Sequence, residues 1–382
     1  MRKTVTIGDL GIVITGKTPP TTNKNYYGDY AVFIKPTDIS EQSKFTYETE
    51  EMYSRLAAEK YESSLVPKGA ICVPCIGTIG TKMTMTHCDC YTNQSINSIV
   101  CNENFDNEYV YYLIKNFLPG LKAYNLGTAS GREYVSKSNF EKIELEVELD
   151  KDIQKRIGMF LSRYDSLIEN YQKQIKLLEE AAQRLYKEWF VDLHFPGHEN
   201  TKIVDGVPEG WELSKLGNLA EFKRGKTITK KDVIDGSIPV VAGGLEPAYY
   251  CNKSNTAERV ITISGSGANA GFTKMYFEKV WASDCSYADL ETTQFLHFVY
   301  CYLKDNKTTI DHMQKGAAQP HVYAKEINAL GLCIPTEDVL NIFEIKVSRY
   351  FNTISSLQSQ IRLLTEARDR LLPKLMSGEI AV

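Results

Sequence analysis

Long apolar runs are missing from this chain. No stretch of about 18 consecutive apolar residues occurs, which argues against an apolar membrane-spanning helix. The opening MRKTVTIGDL also lacks the apolar centre of an export signal, so a cytoplasmic protein that avoids membranes is expected. A disulfide framework is not expected either. The nine cysteines are an odd number in a chain without an export signal, and reduced thiols fit that setting better. Basic character is absent too: the formal net charge is -4. Counted along the sequence, residues 1–145 carry 15 Lys and Arg against 16 Asp and Glu, and residues 211–335 carry 14 against 13. Charge alone therefore marks no segment as a binder of nucleic acid or membrane. No Asn-Pro-Pro-Tyr loop of the methyltransferase kind is found, nor a carboxylate cluster resembling a nuclease site. The sequence shows no catalytic constellation and implies no cofactor.

What the 382 residues do contain is apolar material for two or three cores, at 43% with 11% aromatics, and a duplication. IGDL (Ile7 to Leu10) is matched by LGNL (Leu216 to Leu219), and in both places a Gly-Lys-Thr follows, at Gly16 and Gly225, an offset of 209 in numbering. LGTASGREYV around Gly127 pairs loosely with QKGAAQPHVY around Gly316. SRYDSLIENYQKQIKLLEEAAQRL from Ser162 pairs closely with SRYFNTISSLQSQIRLLTEARDRL from Ser348, at an offset of 186. The shrinking offset makes the second copy shorter by about twenty residues, expected in its loops.

Each copy ends in a helix with a heptad seam. Apolar residues recur in alternating steps of four and three at Tyr164, Ile168, Tyr171, Ile175, Leu178, Ala182, Leu185 and Trp189. The second series is Tyr350, Ile354, Leu357, Ile361, Leu364, Arg368, Leu371 and Leu375. Two seams in one chain can pair with each other. Arg368, equivalent to Ala182, either specifies register or lies at a frayed edge, and the plainer second reading is preferred. Pro373 and Gly378 should end the second helix. Before each helix come short β-branched or apolar runs (AVFIKP, AICVPCIG, INSIVC; IPVVAGG, RVITISG) broken by turn residues, with helical patches NEYVYYLIKNFL and TTQFLHFVYCYLKD among them. Mixed α and β units follow. Between the copies, Asp192 to Trp211 reads as a connector.

GIVITGKT (Gly11 to Thr18) matches the pattern of a phosphate-cradling loop. Its variable positions are Ile12, Val13, Ile14 and Thr15, which favour a strand, and Pro19 and Pro20 follow where a helix should begin. The second copy keeps the Gly-Lys-Thr but has Ala220 in place of Gly11, so a strand-ending turn is the preferred reading. GSGANAG (Gly265 to Gly271) has the wrong spacing for a dinucleotide fingerprint and reads as a turn before the strand-like FTKMYF. Cys72 and Cys75, with His87, Cys88 and Cys90, have a spacing that could hold zinc. ICVPC nevertheless looks like a buried strand, and the second copy has no cysteine there, so no metal site is expected. Pro196 and Gly197 keep His194 and His198 from sharing a helix face.

A globular domain followed by a heptad helix, twice over, resembles the specificity subunit of type I restriction-modification enzymes. The resemblance is carried by EWFVDLHFPGHE, VPEGWELSKLGNLAEFKRGKTI, GAICVPCIGTIGT with NQSINSIV, and ARDRLLPKLMSGEI; the first domain departs in starting directly at VTIGDLG without a PEGW opening. The resemblance implies an α+β protein. Two tandem mixed target recognition domains (1–149 and 211–335) would be separated by an antiparallel two-helix coiled-coil spacer (150–190 and 336–382), with a linker at 191–210 and a pseudo-twofold internal repeat. It implies a non-catalytic subunit whose domains each read half of an asymmetric bipartite site in double-stranded DNA. Its helices would dock two methyltransferase subunits and, through them, two restriction subunits. A stand-alone DNA-binding regulator or a nucleotide-binding protein are the rival classes.

Lys and Arg suit guanine and Asn and Gln suit adenine, and turns project such side chains. The candidate DNA-reading residues are therefore Lys17, Thr18, Lys35, Thr37, Lys82, Asn93, Gln94, Arg132 and Tyr134 in the first domain. In the second they are Lys223, Arg224, Lys226, Lys274, Gln319, His321 and Tyr323.

Overall fold

The computed structural model describes residues 2–127, 131–229, 231, 233–314 and 320–382. The chain divides into two compact units, Met1–Tyr171 with Gln360–Val382 and Gln172–Ser359.

The first unit runs β1 (Arg2–Thr6), α1 (Ile7–Leu10), β2 (Gly11–Thr15), β3 (Tyr27–Gly28), β4 (Ala31–Ile34), β5 (Met52–Tyr53), α2 (Arg55–Lys60), β6 (Ile71–Pro74), β7 (Ile76–Gly77), β8 (Thr84–Met85), β9 (Tyr91–Thr92), β10 (Ile96–Cys101), α3 (Asn107–Phe117), β11 (Glu133–Tyr134), α4 (Lys137–Glu141), β12 (Glu144–Glu148) and then into α5 (Lys151–Tyr186). The IGDL motif is the single turn α1. Thr6 caps it by accepting from Asp9 N while Thr6 N donates to Asp9 Oδ2 at 2.8 Å, and Ile7 and Leu10 are fully buried. Four strands pair in the order β2-β10-β6-β8, antiparallel throughout. A second sheet, β3-β5-β4-β9, contains the parallel pair β4 and β9, while β1 pairs with β12 and β7 with β11. Tyr109 to Ile114 of α3 are buried all round, as expected of a helix enclosed on every side.

The second unit repeats the plan. The hairpin β13 (Ile203–Val204) and β14 (Val207–Pro208) precedes β15 (Glu212–Lys215), α6 (Leu216–Leu219), β16 (Lys223–Arg224), β17 (Ile238–Val241), β18 (Tyr249–Cys251), β19 (Val260–Ser264), β20 (Thr273–Tyr276), β21 (Trp281–Ala282), β22 (Cys285–Asp289), α7 (Leu296–Asp305), α8 (Lys307–His312), α9 (Ala324–Asn328), β23 (Gly331–Ile334) and α10 (Glu337–Ser377). Its main sheet is β16-β22-β19-β20; a small sheet, β18-β17-β21, again holds one parallel pair, and β15 pairs with β23. Every residue from Leu296 to Leu303 in α7 is buried, the counterpart of α3.

The long helices begin earlier than the seam suggested. In the first unit, Ile157 and Leu161 of α5 share a core with Leu372, Leu375 and Met376 of α10. In the second, the ring centroids of Tyr186 and Phe343 are 6.4 Å apart, and Glu179 lies by Phe351, Ile354 and Gln358, so the helix segments there run antiparallel. Of the seam residues, Ile168, Trp189, Ile354, Leu357 and Leu375 are buried; Tyr164, Tyr171, Ile175, Leu178, Leu185, Tyr350, Ile361, Leu364 and Leu371 are half-buried. Leu161, Asp165, Ala182 and Tyr186 are also buried, as are Phe343, Val347, Phe351 and Leu372. A helix packed on both a partner helix and a domain needs a wider apolar face than the seam of an isolated coiled coil.

One expectation is overturned. Arg368 is no frayed edge: it is buried with Asp165, to which its Nη1 donates, while Asp369 accepts from its Nε at 2.9 Å. Within the connector, Phe195 and Trp211 are buried in the core of the second unit with ring centroids 4.8 Å apart. Gly378, at φ +77°, follows the last residue of α10 as a left-handed cap.

Candidate nucleic-acid interface

The three β-branched residues Ile12, Val13 and Ile14 form β2, and no helix follows the Gly-Lys-Thr; the next helical turn is the single 3-10 turn Lys24–Tyr26. The nucleotide-binding rival therefore lacks its cradle. What Gly16 provides is closeness. A Cβ there would lie 2.1 Å from Thr92 O and 2.3 Å from Asn93 O, so only glycine lets the strand end pass beneath that loop. Gly16 N then donates to Ile96 O at 3.2 Å and Lys17 N to Thr92 O at 2.9 Å.

From that turn a row of loops extends, each bonded to the next. Asn93 N donates to Ile34 O (3.0 Å), Cys75 N to Ser95 O (2.7 Å) and Val135 N to Cys75 O (2.9 Å), and Tyr134 pairs with Ile76. This ledge at the end of the sheet brings together Lys17, Thr18, Asn93, Gln94, Arg132 and Tyr134. Thr18 Oγ1 donates to Gln94 Oε1, and Lys17 Nζ reaches Ser63 Oγ at 3.3 Å. Gln94 and Arg132 are exposed, and Asn93 and Tyr134 half-buried.

The second unit has the same ledge. A Cβ on Gly225 would lie 2.4 Å from Ser283 O and 2.7 Å from Ala282 O. Gly225 N donates to Cys285 O (2.8 Å), Lys226 N to Ala282 O (2.9 Å), Ser283 N to Val241 O (2.8 Å), Gly265 N to Asp284 O (3.1 Å) and Val322 N to Gly265 O (3.1 Å), while Ser266 bridges to His321. Bond for bond, the order matches that of the first unit. Lys226 is exposed at the head of the row, with Lys223 and Arg224 exposed on β16 just before it. At the other end His321 stacks on the half-exposed Tyr323, with centroids 5.8 Å apart and planes 10° apart.

Three candidates are otherwise engaged or set apart. Lys35 follows β4 beside the ledge, but it is half-buried and its Nζ is held by Glu50 at 2.6 Å and Glu51 at 3.2 Å. Lys274 lies on β20 with Glu246 3.5 Å away and the Tyr276 ring below it. Lys82 is half-buried in the loop between β7 and β8. Thr37 is exposed in the turn after Lys35, and Gln319 lies outside the described residues.

Two residues without any signal in the sequence pattern hold the turns in place. Tyr53 OH donates to Lys17 O at 2.5 Å, its ring stacked on Tyr91 with centroids 4.6 Å apart. In the second unit Trp281 Nε1 donates to Lys226 O at 2.7 Å. Burial pushes the Tyr53 phenol far above its ordinary range, so it stays a neutral donor.

The cysteines form no ligand set. Cys72 and Cys75 lie on or next to β6, Cys72 Sγ contacts Ser98 Oγ at 3.2 Å, and burial pushes both thiols up to about 12. Among the described residues no cluster of three or more potential metal ligands occurs, and no helix is long and apolar enough to cross a membrane.

Each unit thus presents the same backbone ledge at a sheet end, with unlike side chains on it. Residues 2–180 and 208–362 match the family model of the type I restriction modification DNA specificity domain. The chain belongs to that family of specificity subunits, the non-catalytic DNA-recognition components of type I restriction-modification systems. It is similar to the MjaIX type I restriction enzyme specificity subunit of Methanocaldococcus jannaschii, 27% identical over 98% of this chain and 93% of that one. It is also similar to the HindI specificity subunit of Haemophilus influenzae, 34% identical over 43% of this chain and 36% of that one. Its fold resembles the crystal structure of a type I system S subunit from M. genitalium, with a TM-score of 0.59 at 18% identity, covering 98% of this chain and 96% of that one.

Proposed function

We propose that each unit reads one half of a bipartite, asymmetric DNA site through its ledge. The target recognition domains are residues 1–149 and 211–335, and the spacer segments 150–190 and 336–382, joined by 191–210, set the distance between the half-sites and dock two methyltransferase subunits. Restriction subunits join through the methyltransferases. The reading rests on one observation above all: the same sequence of backbone bonds recurs at both sheet ends, while the side chains carried there differ. Lys17, Asn93, Gln94, Arg132 and Tyr134 stand on one ledge and Lys226, His321 and Tyr323 on the other. Different donors and acceptors on one scaffold suit different base sequences. At ~1.5 Å per residue, the stretch from Tyr164 to Phe190 spans ~40 Å, comparable to one turn of B-DNA at about 34–36 Å, a suitable length for a spacer between two groove readers.

The test is methylation mapping of DNA from cells that express the chain with its methyltransferase. Arg132→Ala is expected to relax one half-site and leave the other intact; unchanged specificity would remove Arg132 from the interface, and relaxation of both halves would contradict separate readers. Copurification should recover two methyltransferase chains per copy of this one.

A further inference from the structure

The two long helices are copies of each other, yet one of their buried contacts is polar only once. In the first unit Asp165 of α5 meets Arg368 of α10, both buried: Arg368 Nη1 donates to Asp165 Oδ1, and Tyr112 OH donates to Asp165 Oδ2. Lys115 of α3 is half-buried, with its Nζ 5.8 Å from the Tyr111 ring centroid. By the repeat offset, Asp165 is equivalent to Phe351 and Arg368 to Ala182. Both equivalents are buried in the apolar core of the second unit. The same structural position is thus an ion pair in one copy and a phenylalanine with an alanine in the other.

That asymmetry has consequences for any pairing of the helices other than the native one. If α5 paired with α5 of a second molecule in the same register, Asp165 would face Ala182 and lose its guanidinium. If α10 paired with a second α10, Arg368 would face Phe351 and keep only Asp369, whose side chain is 52% exposed. Each mispaired state strands a buried charge, which costs far more than the matched pair gains over an apolar replacement. Five of the eight paired seam positions give no such discrimination, being identical in the two copies: Tyr164 and Tyr350, Ile168 and Ile354, Ile175 and Ile361, Leu178 and Leu364, Leu185 and Leu371. We propose that Asp165 and Arg368 are a matching device by which the two halves of the chain accept each other and reject the like half of a second copy. A physical parallel is the single buried polar position that fixes register and partner in a coiled coil.

The experiment co-expresses two full-length copies with different affinity tags and measures mixed-tag dimers by tandem purification and light scattering. The unsubstituted chain is expected to be monomeric with unmixed tags. Asp165→Ala with Arg368→Ala, which removes both charges together, is expected to stay folded and to raise mixed-tag dimers by at least about tenfold. Arg368→Lys, which keeps a cation, should stay monomeric. The neutral near-isosteres Asp165→Asn with Arg368→Gln repeat the test where the alanine pair unfolds. A folded, strictly monomeric double variant would overturn the proposal. So would free tag exchange in the unsubstituted chain, or unfolding of both double variants, because a pair that only discriminates partners can be removed as a unit without losing the fold.

Discussion

Gly16→Ala separates the two meanings of the Gly-Lys-Thr motif, because it adds one methyl group at the tightest place on the first ledge. The new Cβ would meet Thr92 O at 2.1 Å, Asn93 O at 2.3 Å and Thr92 Oγ1 at 2.3 Å, all inside the 3.0 Å below which such contacts essentially never occur. The loop would have to withdraw by at least 0.9 Å, the difference between 3.0 and 2.1, and two of the three obstructing atoms are backbone oxygens that no rotamer change can move. Overpacking costs about 1–3 kcal/mol. Losing the bonds Gly16 N to Ile96 O and Lys17 N to Thr92 O adds about 1 kcal/mol each. The total is about 3–5 kcal/mol, which for a unit of this size lowers the melting temperature by on the order of 10 °C. Calorimetry of the purified chain reads the stability, and methylation mapping reads the specificity: the half-site served by the first unit should lose its base preference while the other keeps it. Gly225→Ala should do the reverse. Gly8→Ala, whose Cβ would meet its nearest atom at 3.4 Å, is the matched control and should be nearly neutral. A Gly16→Ala chain with unaltered melting and specificity would refute the reasoning, as would loss of both half-sites at once.

Other outcomes follow from the same geometry. Tyr53→Phe keeps the stacked ring but deletes the donor to Lys17 O; binding at one half-site should weaken by about fivefold, the equivalent of roughly 1 kcal/mol, and competition between oligonucleotides altered in one half-site checks it. Trp281→Phe should weaken the other half-site. Burial holds the Cys72, Cys75 and Cys285 thiols at about 12, so their reactive thiolates form only as pH rises toward that value. Alkylation of the native protein at pH 8 followed by mass spectrometry should spare all three, and rapid labelling of Cys72 would contradict the buried assignment. Because neither unit carries excess positive charge, the isolated chain should bind DNA weakly with a shallow salt dependence, the methyltransferase subunits supplying most phosphate contacts. Tight, steeply salt-dependent binding by the chain alone would refute that division of labour.

How much of this was legible in the sequence depended on the range of the interaction. The β-branched run at Ile12 to Thr15 announced β2, because strand preference is local; the all-apolar segments at α3 and α7 announced buried helices for the same reason. The heptad count found the helix pair but passed over Asp165, since a search for apolar periodicity skips a carboxylate whose partner lies 203 residues away. Lys35 was named from its turn position, which gives no sign of Glu50 and Glu51, 15 and 16 residues on, that accept from its ammonium. Tyr53 carried no signal at all, because its role is a bond to a backbone oxygen 36 residues earlier, and any residue can offer such an oxygen.

The duplication itself separates what the ledge requires from what it tolerates. Both copies keep a glycine where the strand end passes against a carbonyl, and both keep a lysine after it whose backbone N–H bonds to the facing loop. The residue that clamps that lysine's carbonyl is a tyrosine from β5 in one copy and a tryptophan from β21 in the other. Equivalent places along the row also differ: Asn93 against Ser283 where each donates to the parallel strand, and Tyr134 against His321 beside the last backbone bond. A backbone path fixed by sterics, with side chains free to differ along it, lets one scaffold carry two unlike sets of donors and acceptors. It follows that exchanging the side chains of one ledge should change what that unit reads without disturbing its fold, whereas exchanging the glycine should disturb both.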